Sequence, residues 1–203
     1  MTTPKPTPDA VPHEAMGAAD RARLLGRTGA TIWLTGLPAS GKTTIALALE
    51  RALVASGRPA LVLDGDTLRH GLNAGLTFDA AGRAEAVRRA GEAALLLAQS
   101  GTIAIASLVS PYRADRDGVR ARHASQGVAF LEAFVDVDVR IAIERDPKGH
   151  YKRALAGEIP SFTGVSDPYE PPPRPELRLT TASMSVDECV RAAFDALAKA
   201  RHS

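Results

Sequence analysis

A glycine-rich turn between an apolar segment and an amphipathic segment most restricts how this 203-residue chain can fold. The residues GLPASGKTT follow the apolar run TIWLT and lead into IALALERALVASG. The pattern G-x-x-x-x-G-K-[ST] is satisfied by Gly36, Gly41, Lys42 and Thr43. Glycines let backbone N–H groups turn toward a phosphate, and the following helix N-terminus favours an anion. The turn therefore predicts a site for a nucleoside triphosphate.

The residue types in this turn suit a triphosphate bound with Mg²⁺. Lys42 supplies a point charge to the β and γ phosphates, and the Thr43 hydroxyl is expected to ligate Mg²⁺. We expect the nucleotide to contact Gly36, Leu37, Pro38, Ala39, Ser40, Gly41, Lys42 and Thr43. The sequence contains no guanine-recognising segment of the N-K-x-D type, which favours ATP over GTP.

Apolar runs alternate along the chain with segments of helical periodicity. TIWLT, ALVLD, TIAIAS and AFLEAFVD precede predicted helices at 43–56, 83–99, 114–123 and 139–145, with a loop before the second helix. The final segments predict a short strand, LRLTT, and a helix with Ser185 as its N-cap. This alternation predicts an α/β fold with a doubly wound, mostly parallel sheet, buried on both faces.

Two stretches depart from the alternation. Residues 1–22 are expected to be a disordered tail, since MTTPKPTPDAVP has four prolines and no aliphatic periodicity. A short helix is expected from about Asp20, ending at Gly26 or Gly29. Residues 146–175, the lid segment, contain seven prolines and no periodic pattern. Such a long irregular stretch inside the expected domain, 23–203, is typical of a lid or binding loop.

Composition narrows the class of partner. The hydrophobic fraction is 45%, the charged fraction is 24% and the formal charge is +2, which fits one globular domain and disfavours a nucleic-acid partner. The lone Cys189 is expected to be an ordinary helix residue. No apolar run approaches a membrane span and no secretory pattern begins the chain, so we expect cytoplasmic residence.

Two carboxylates follow the strand ALVLD. Asp64 and Asp66 flank a glycine at the carboxyl end of a strand, where parallel sheets bind ligands. One carboxylate can orient Mg²⁺ while the other accepts a proton from an attacking hydroxyl, which indicates a kinase. The alternative is a turn whose aspartates cap the next helix.

Several arginines follow the acidic turn, namely Arg69, Arg83, Arg88 and Arg89. Guanidinium groups bind oxyanions bidentately, so this group suits an acceptor that carries phosphate or sulfate. The alternative for each is a solvated helix face.

The chain resembles the adenylylsulfate kinases from about Arg23 to Ala198. The resemblance is carried by WLTGLPASGKTT, LDGDTLRHGLN, SPYRADRD and RDPKGHYKRALAGEIPSFTGVSDPYE, in that order. The first block is common to P-loop proteins, and the other three together are specific. The resemblance implies a homodimeric P-loop kinase that uses ATP and Mg²⁺ to phosphorylate the 3′-hydroxyl of adenosine 5′-phosphosulfate (APS) in sulfate assimilation.

The resemblance also implies residue roles on the acceptor side. Asp66 would lie near the 3′-hydroxyl and the metal, and Asp64 would lie beside it as a metal ligand. Arg69 and Arg83 would hold the acceptor nucleotide. Phe78 and Phe162 would sandwich its adenine, as two rings can stack on a flat base. Core packing is the alternative for either phenylalanine.

Three further positions carry implied roles. Ser110 would be the site of a phosphoserine intermediate. A turn formed by Ser-Pro after a strand is the alternative, because no base adjoins Ser110 in sequence. Lys148 would neutralise the transferred phosphate and Arg145 would flank the ATP adenine, under a lid that excludes water.

The chain departs from the family pattern at several acceptor-side and lid-side positions. Ala86 stands where the family pattern Asp-Arg-x-Glu-Asn-Ile-Arg-Arg has Asn. The loss of this side-chain amide would remove a hydrogen bond to the acceptor worth about 0.5–1.5 kcal/mol. The other departures are Gly75, Thr77, Gly82, Leu108 and His150. These departures bear on the identity of the acceptor more than on the type of reaction.

Two alternatives therefore stand beside an adenylylsulfate kinase. One is a kinase of the same fold that acts on a related nucleotide-linked acceptor. The other is a catalytically quiet ATP-binding module, for example one that scaffolds a sulfurylase. The intact pair Asp64 and Asp66 disfavours the quiet module, which would not need a second carboxylate.

Overall fold

A sheet of five parallel strands lies at the centre of the computed structural model, which describes residues 16–200. The strands of this described part are β1 (Ala30–Thr35), β2 (Ala60–Asp64), β3 (Ile103–Ser107), β4 (Ala129–Asp136) and β5 (Leu177–Thr180). Their order across the sheet is β2-β3-β1-β4-β5. Every neighbouring pair is parallel. The predicted doubly wound α/β fold is confirmed.

Helices connect the strands and cover both faces of the sheet. They are α1 (Ala18–Leu25), α2 (Lys42–Ala55), α3 (Gly65–Leu68), α4 (Ala80–Gln99), α5 (Arg113–Ala124), α6 (Val139–Arg145), α7 (His150–Leu155) and α8 (Val186–Ala200). Within the sheet, β2 and β3 lie on one side of β1, whereas β4 and β5 lie on its other side. This reversal creates a crevice at the carboxyl end of β1, where ligands bind in open α/β sheets.

The hydrophobic core has a layer on each face of the sheet. All six residues of β1 are buried, as the continuous apolar run predicts for a central strand. One layer joins the strands to α2 and α8 and includes the buried Cys189. The other layer packs Trp33 of β1 against Val87, Ala90 and Val119, which lie on α4 and α5. The two layers fix the carboxyl ends of the strands relative to one another.

Local signals set the helix ends. α1 ends at Leu25 and is followed by the C-cap residue Gly26, which has a left-handed φ of 65°. Asp79 caps α4 by accepting a hydrogen bond of 2.8 Å from the Gly82 backbone N–H. At α8, the Ser185 hydroxyl accepts a bond of 3.3 Å from the Glu188 N–H, and the Glu188 carboxylate accepts from the Ser185 N–H at 2.8 Å. The predicted N-cap at Ser185 is confirmed.

The structure differs from the sequence-based expectation in two short helices. α3 lies where a loop was expected, and α7 lies inside the lid segment. Tyr151 and Ala154 of α7 are buried with Phe162 against Val137 and Ala142. A helix of only six residues is too short for a periodic pattern to stand out in the sequence.

Residues 1–15 of the expected tail lie outside the described residues. α1 begins at Ala18, and none of its residues is buried. Among residues 16–200, no helix is long and apolar enough to cross a membrane.

Candidate active site

A cavity of about 1390 Å³ opens at the carboxyl ends of β1, β2 and β3, beneath the lid segment. Single-ligand pockets are commonly about 300–1,000 Å³, so this cavity suits two substrates together. The predicted site residues Lys42, Thr43, Asp64, Asp66, Arg69, Phe78, Arg83, Ser110, Arg145, Lys148 and Phe162 all line it. The fold therefore brings together residues that are far apart in the sequence.

The glycine-rich turn forms the floor of one half of the cavity, which we call the donor half. Gly36 has a φ of 155°, and an added Cβ would overlap the carbonyl oxygen of Val135, so only glycine fits there. The Lys42 ammonium donates to the carbonyls of Gly36 at 3.0 Å and Leu37 at 2.7 Å. Burial lowers the pKa of Lys42 to about 7, although Asp64 and Asp66 oppose that shift.

Asp64 lies at the junction of β2 and α3 and makes two kinds of contact. One carboxylate oxygen caps α3, accepting from the N–H groups of Asp66 at 3.1 Å and Thr67 at 3.2 Å. The other accepts a bond of 2.9 Å from the Thr43 hydroxyl. Helix capping and a role at the phosphate turn are thus compatible. The Ser107 hydroxyl lies 3.5 Å from that of Thr43, a third oxygen the sequence did not single out.

Asp66 forms an ion pair with Lys148 across the middle of the cavity. The Lys148 ammonium donates to the Asp66 carboxylate, and both side chains stay more than half exposed, at 59% and 69%. The hydrogen bond to Asp66 raises the pKa of Lys148. The pair joins the start of the lid segment to the end of β2, between the phosphate turn and the arginines.

Arg69 and Phe78 form one wall of the other half, which we call the acceptor half. The Arg69 guanidinium lies over the Phe78 ring, 3.6 Å from its centroid, and donates to the Leu76 carbonyl at 3.0 Å. Phe78 is 61% exposed, so core packing does not explain its position. Its ring face is available to a planar ligand that competes with Arg69.

Arg83 connects this wall to the lid segment. Its guanidinium donates to the Phe78 carbonyl at 2.7 Å, to the Ser161 carbonyl and to the Thr163 hydroxyl. Asp167 lies 3.9 Å away on the same segment. In this structure, Arg83 therefore bridges the backbone at Phe78 to the residues on either side of Phe162.

Phe162 lines the cavity but is largely buried. It is 8% exposed, and its ring meets Tyr151 edge-on at a centroid distance of 5.0 Å. The packing alternative thus accounts for part of its surface, while the remaining part faces the acceptor half.

Ser110 is held in a strained, buried position. Its φ is 39°, which is unusual for a residue other than glycine, and it is 3% exposed. Its hydroxyl accepts a bond of 3.0 Å from the Trp33 indole N–H and lies 3.4 Å from the Leu108 carbonyl. None of these partners is a base that could activate the hydroxyl as a nucleophile.

Arg145 belongs to a cluster at the end of α6 that sequence reasoning found only in part. Its guanidinium donates to the Thr181 hydroxyl at 3.0 Å and to the Thr181 carbonyl at 2.8 Å. The Thr181 hydroxyl in turn donates to the Ser40 carbonyl at 2.9 Å. Met184 and Val186 line the same end of the cavity. No motif in the sequence marked Thr181, because its link to the phosphate turn is tertiary.

Two of the departures from the family pattern fit each other sterically. A Cβ added at Gly82 would overlap the carbonyl and the hydroxyl of Thr77. Thr77 donates to Asp79, the cap of α4, at 2.8 Å. Ala86 lies on α4 one turn further on, is 7% exposed and lines the cavity. The departures thus concentrate on the acceptor half.

The fold and the phosphate turn, with a carboxylate and a lysine paired at mid-cavity, define a P-loop kinase. A family model described as adenylylsulphate kinase matches residues 28–180. The chain belongs to the adenylylsulfate kinase family. It is therefore an ATP-dependent phosphotransferase, as the sequence predicted.

Individual relatives agree with this family. The adenylyl-sulfate kinase of Saccharomyces cerevisiae is 48% identical over 185 residues, which cover 91% of this chain and 92% of that protein. Adenylyl-sulfate kinase 1, chloroplastic, of Arabidopsis thaliana is 52% identical over 82% of this chain and 60% of its own length. The structure of the Mycobacterium tuberculosis APS kinase CysC in complex with AMPPNP and APS matches with a TM-score of 0.82 at 46% identity, covering 84% of this chain and 98% of that one.

Proposed function

We propose that the protein transfers the γ-phosphoryl group of ATP to the 3′-hydroxyl of APS, giving 3′-phosphoadenosine 5′-phosphosulfate. The observation that carries this assignment is the Asp66–Lys148 pair, placed between the phosphate turn and a wall of arginine and aromatic side chains. A base and a cation at this junction suit a hydroxyl that attacks a terminal phosphate. The family membership supports the same reaction.

ATP is proposed to bind with its phosphates on the turn 36–43. The backbone N–H groups of the turn and the start of α2 would face the β-phosphate. The Lys42 ammonium would then exchange the carbonyls of Gly36 and Leu37 for phosphate oxygens. Arg145 and Thr181, which are hydrogen-bonded to each other and line the cavity, would bound the adenosine end of the same half.

The oxygens of Thr43 and Asp64 fit a magnesium ion. They lie 2.9 Å apart beside the phosphate turn, and Mg²⁺ prefers oxygen ligands shared with substrate phosphates. When bound, the ion would neutralise charge on the β and γ phosphates. Asp64 and Thr43 would hold it, and the second Asp64 oxygen would keep α3 capped.

Asp66 is proposed as the base. Its carboxylate would accept the 3′-hydroxyl proton as the new O3′–P bond forms and the bond from Pγ to the β,γ-bridging oxygen breaks, leaving ADP. Lys148 would move from Asp66 toward the transferred phosphoryl group. Ser110 needs no part in this transfer, because in-line attack depends on positioning and charge stabilisation alone.

The acceptor would lie between Phe78 and Phe162, close to Arg69 and Arg83. Arg69 would leave the face of Phe78 for the anionic phosphosulfate, and the adenine would take its place. We further propose that residues 23–203 act as one domain whose lid segment, 146–175, closes over both substrates to exclude water.

A second candidate acceptor is a related nucleotide-linked metabolite. Ala86 favours it, since the family pattern has an amide at this acceptor-side position. Homodimer formation, cytoplasmic residence and association with a sulfurylase remain predictions.

Product identification tests the proposal. Purified protein is incubated with Mg²⁺, γ-³²P-ATP and APS, and the labelled nucleotide is treated with a 3′-nucleotidase. Release of all label as phosphate supports the 3′-position. Label that resists this enzyme, or that appears only with another acceptor, would refute it.

A further inference from the structure

Arg116 is a buried arginine on α5 that lies outside the residues lining the cavity. It is 1% exposed, and its guanidinium makes hydrogen bonds to three separate segments. It donates to the Glu132 carboxylate on β4 at 2.7 Å, to the Ser110 carbonyl at 2.6 Å and to the Glu170 carbonyl at 2.6 Å. A planar guanidinium with five donors can serve all three acceptors in a fixed geometry.

The Ser110 carbonyl belongs to the cavity wall, and the Glu170 carbonyl belongs to the lid segment close to Asp167, which lies 3.9 Å from Arg83 of the acceptor half. Ser110 lies between Val109 and Pro111, which line the cavity with it, and has the strained φ of 39°. Glu170 lies at the distal end of the lid segment. Its N–H donates to the Pro111 carbonyl at 2.9 Å. Arg116 thus holds the cavity wall and the lid end at the place where they join.

A neighbouring contact extends this junction toward β1. The Tyr169 hydroxyl lies 3.0 Å from that of Thr35, which also donates to the Val109 carbonyl at 2.8 Å. The Tyr169 ring lies under Arg116, 5.8 Å from its guanidinium carbon. The same loop is therefore fixed from two directions.

The ion pair alone does not account for this arrangement. A buried arginine–glutamate pair is often replaceable by apolar residues without loss of stability. Glu132 also has a second partner, since Arg120 donates to it at 3.2 Å. Beyond its ion pair with Glu132, Arg116 donates hydrogen bonds to two loop carbonyls.

We propose that Arg116 is a positioning residue for the acceptor nucleotide. By fixing the Ser110 and Glu170 carbonyls, it sets the wall at 109–111 and the distal end of the lid, and thereby the affinity for the acceptor but not for ATP. This inference rests on the proposed acceptor, APS.

The experiment separates positioning from stability with a compensated variant. Arg116→Met leaves Glu132 with only the partly exposed Arg120 and is expected to unfold at a lower urea concentration than the parent. The double variant Arg116→Met/Glu132→Leu removes both buried charges and is expected to recover the parent's urea midpoint. It cannot restore the bonds to the two carbonyls.

We expect the double variant to show a KM for APS raised about 10-fold or more, with the KM for ATP within about twofold of the parent. Arg116→Lys keeps a charge beside Glu132 but loses the fork, and is expected to raise the KM for APS in the same direction. Arg120→Met is the matched control. Arg120 pairs with Glu132 and Glu176 but binds neither carbonyl, so its KM for APS should stay near the parental value.

A double variant with parental stability and a parental KM for APS would overturn the inference. If that variant does not fold, Arg116→Lys decides by the same comparison of KM values. A parent that releases no ADP in response to APS would refute the proposed function instead. In that case, amide hydrogen exchange at Glu170 tests Arg116 alone: faster exchange in Arg116→Lys supports the inference, and unchanged exchange contradicts it.

Discussion

The donor and acceptor halves of the cavity differ in how far apart in the sequence their contacting residues lie. In the donor half, Lys42 bonds to carbonyls only five and six residues away. In the acceptor half, Arg83 reaches partners 78 and 80 residues away, and between the two halves Lys148 reaches Asp66 across 82 residues. The phosphate turn of the donor half is thus encoded in one contiguous segment, whereas the contacts that join the acceptor wall to the lid segment exist only in the folded chain. Substitutions in the two halves should therefore have separable effects.

The largest effect is expected at the carboxylate between the halves. Asp66→Asn removes the proposed base but keeps the size of the side chain, so turnover should fall by about 10²–10⁴-fold with ATP affinity little changed. Steady-state rates with saturating ATP and APS, with ATP binding measured by calorimetry, check this. Turnover within a few-fold of the parent would refute Asp66 as the base.

The next largest effect is expected at the bridge between wall and lid. Arg83→Met removes the contacts to the Phe78 and Ser161 carbonyls and to Thr163, and we expect the KM for APS to rise about 10–100-fold. The KM for ATP should change by less than about twofold. Arg88→Met is the control, because Arg88 is half-exposed and pairs with Glu85 on its own helix. A rise in the KM for ATP equal to that for APS would contradict the separation of the halves.

The donor half should show its own dependence on pH. In the protein without ATP, burial lowers the pKa of Lys42 to about 7. Because nearby phosphates favour the charged ammonium, the binding of ATP should raise that pKa. Above pH 7 the protein must take up a proton on binding, and ATP affinity should fall by up to about tenfold per pH unit. Calorimetry at pH 8 in buffers of different ionisation enthalpy should detect about one proton taken up. Lys42→Met should abolish this uptake, and an uptake that persists in the variant would exclude Lys42 as its source.

A smaller effect is expected at the far end of the donor half. Thr181→Val keeps the shape of the side chain but removes the hydroxyl between Arg145 and the Ser40 carbonyl. The lost hydrogen bonding should weaken ATP binding by about 0.5–1.5 kcal/mol. The KM for ATP should rise by roughly 2- to 12-fold with the KM for APS unchanged. Ser183→Ala, which removes an exposed hydroxyl bonded to the Thr180 carbonyl, is the control. An equal KM for ATP in the two variants would show that the Thr181 hydroxyl does not contribute to ATP binding.

The same difference in range explains what could be predicted from the sequence. The strands, the main helices and the phosphate turn follow from contiguous patterns, so they were predictable. Asp64 and Asp66 are predictable because Asp64 ends β2 and Asp66 lies two residues beyond it, where the carboxyl end of a parallel strand faces the ligand crevice. In contrast, the α7 helix escaped because its six residues do not complete a visible period.

Long-range contacts were beyond sequence reasoning. The pairing of Lys148 with Asp66, the indole bond of Trp33 to Ser110 and the link from Thr181 to Ser40 each join residues from different elements. The sequence predicts that Arg83 holds the acceptor nucleotide, but it does not indicate the hydrogen bonds from Arg83 to the lid segment. The choice of partner in these contacts depends on the closed tertiary structure, which no local pattern contains.

The proposed acceptor is tested most directly by the rate of ADP release by the purified protein with Mg²⁺ and ATP, measured without an acceptor, with APS and with AMP. We predict strong stimulation by APS and little by AMP, because the arginines of the acceptor half suit the additional anionic sulfate. Equal stimulation by AMP and APS, or none by either, would contradict it.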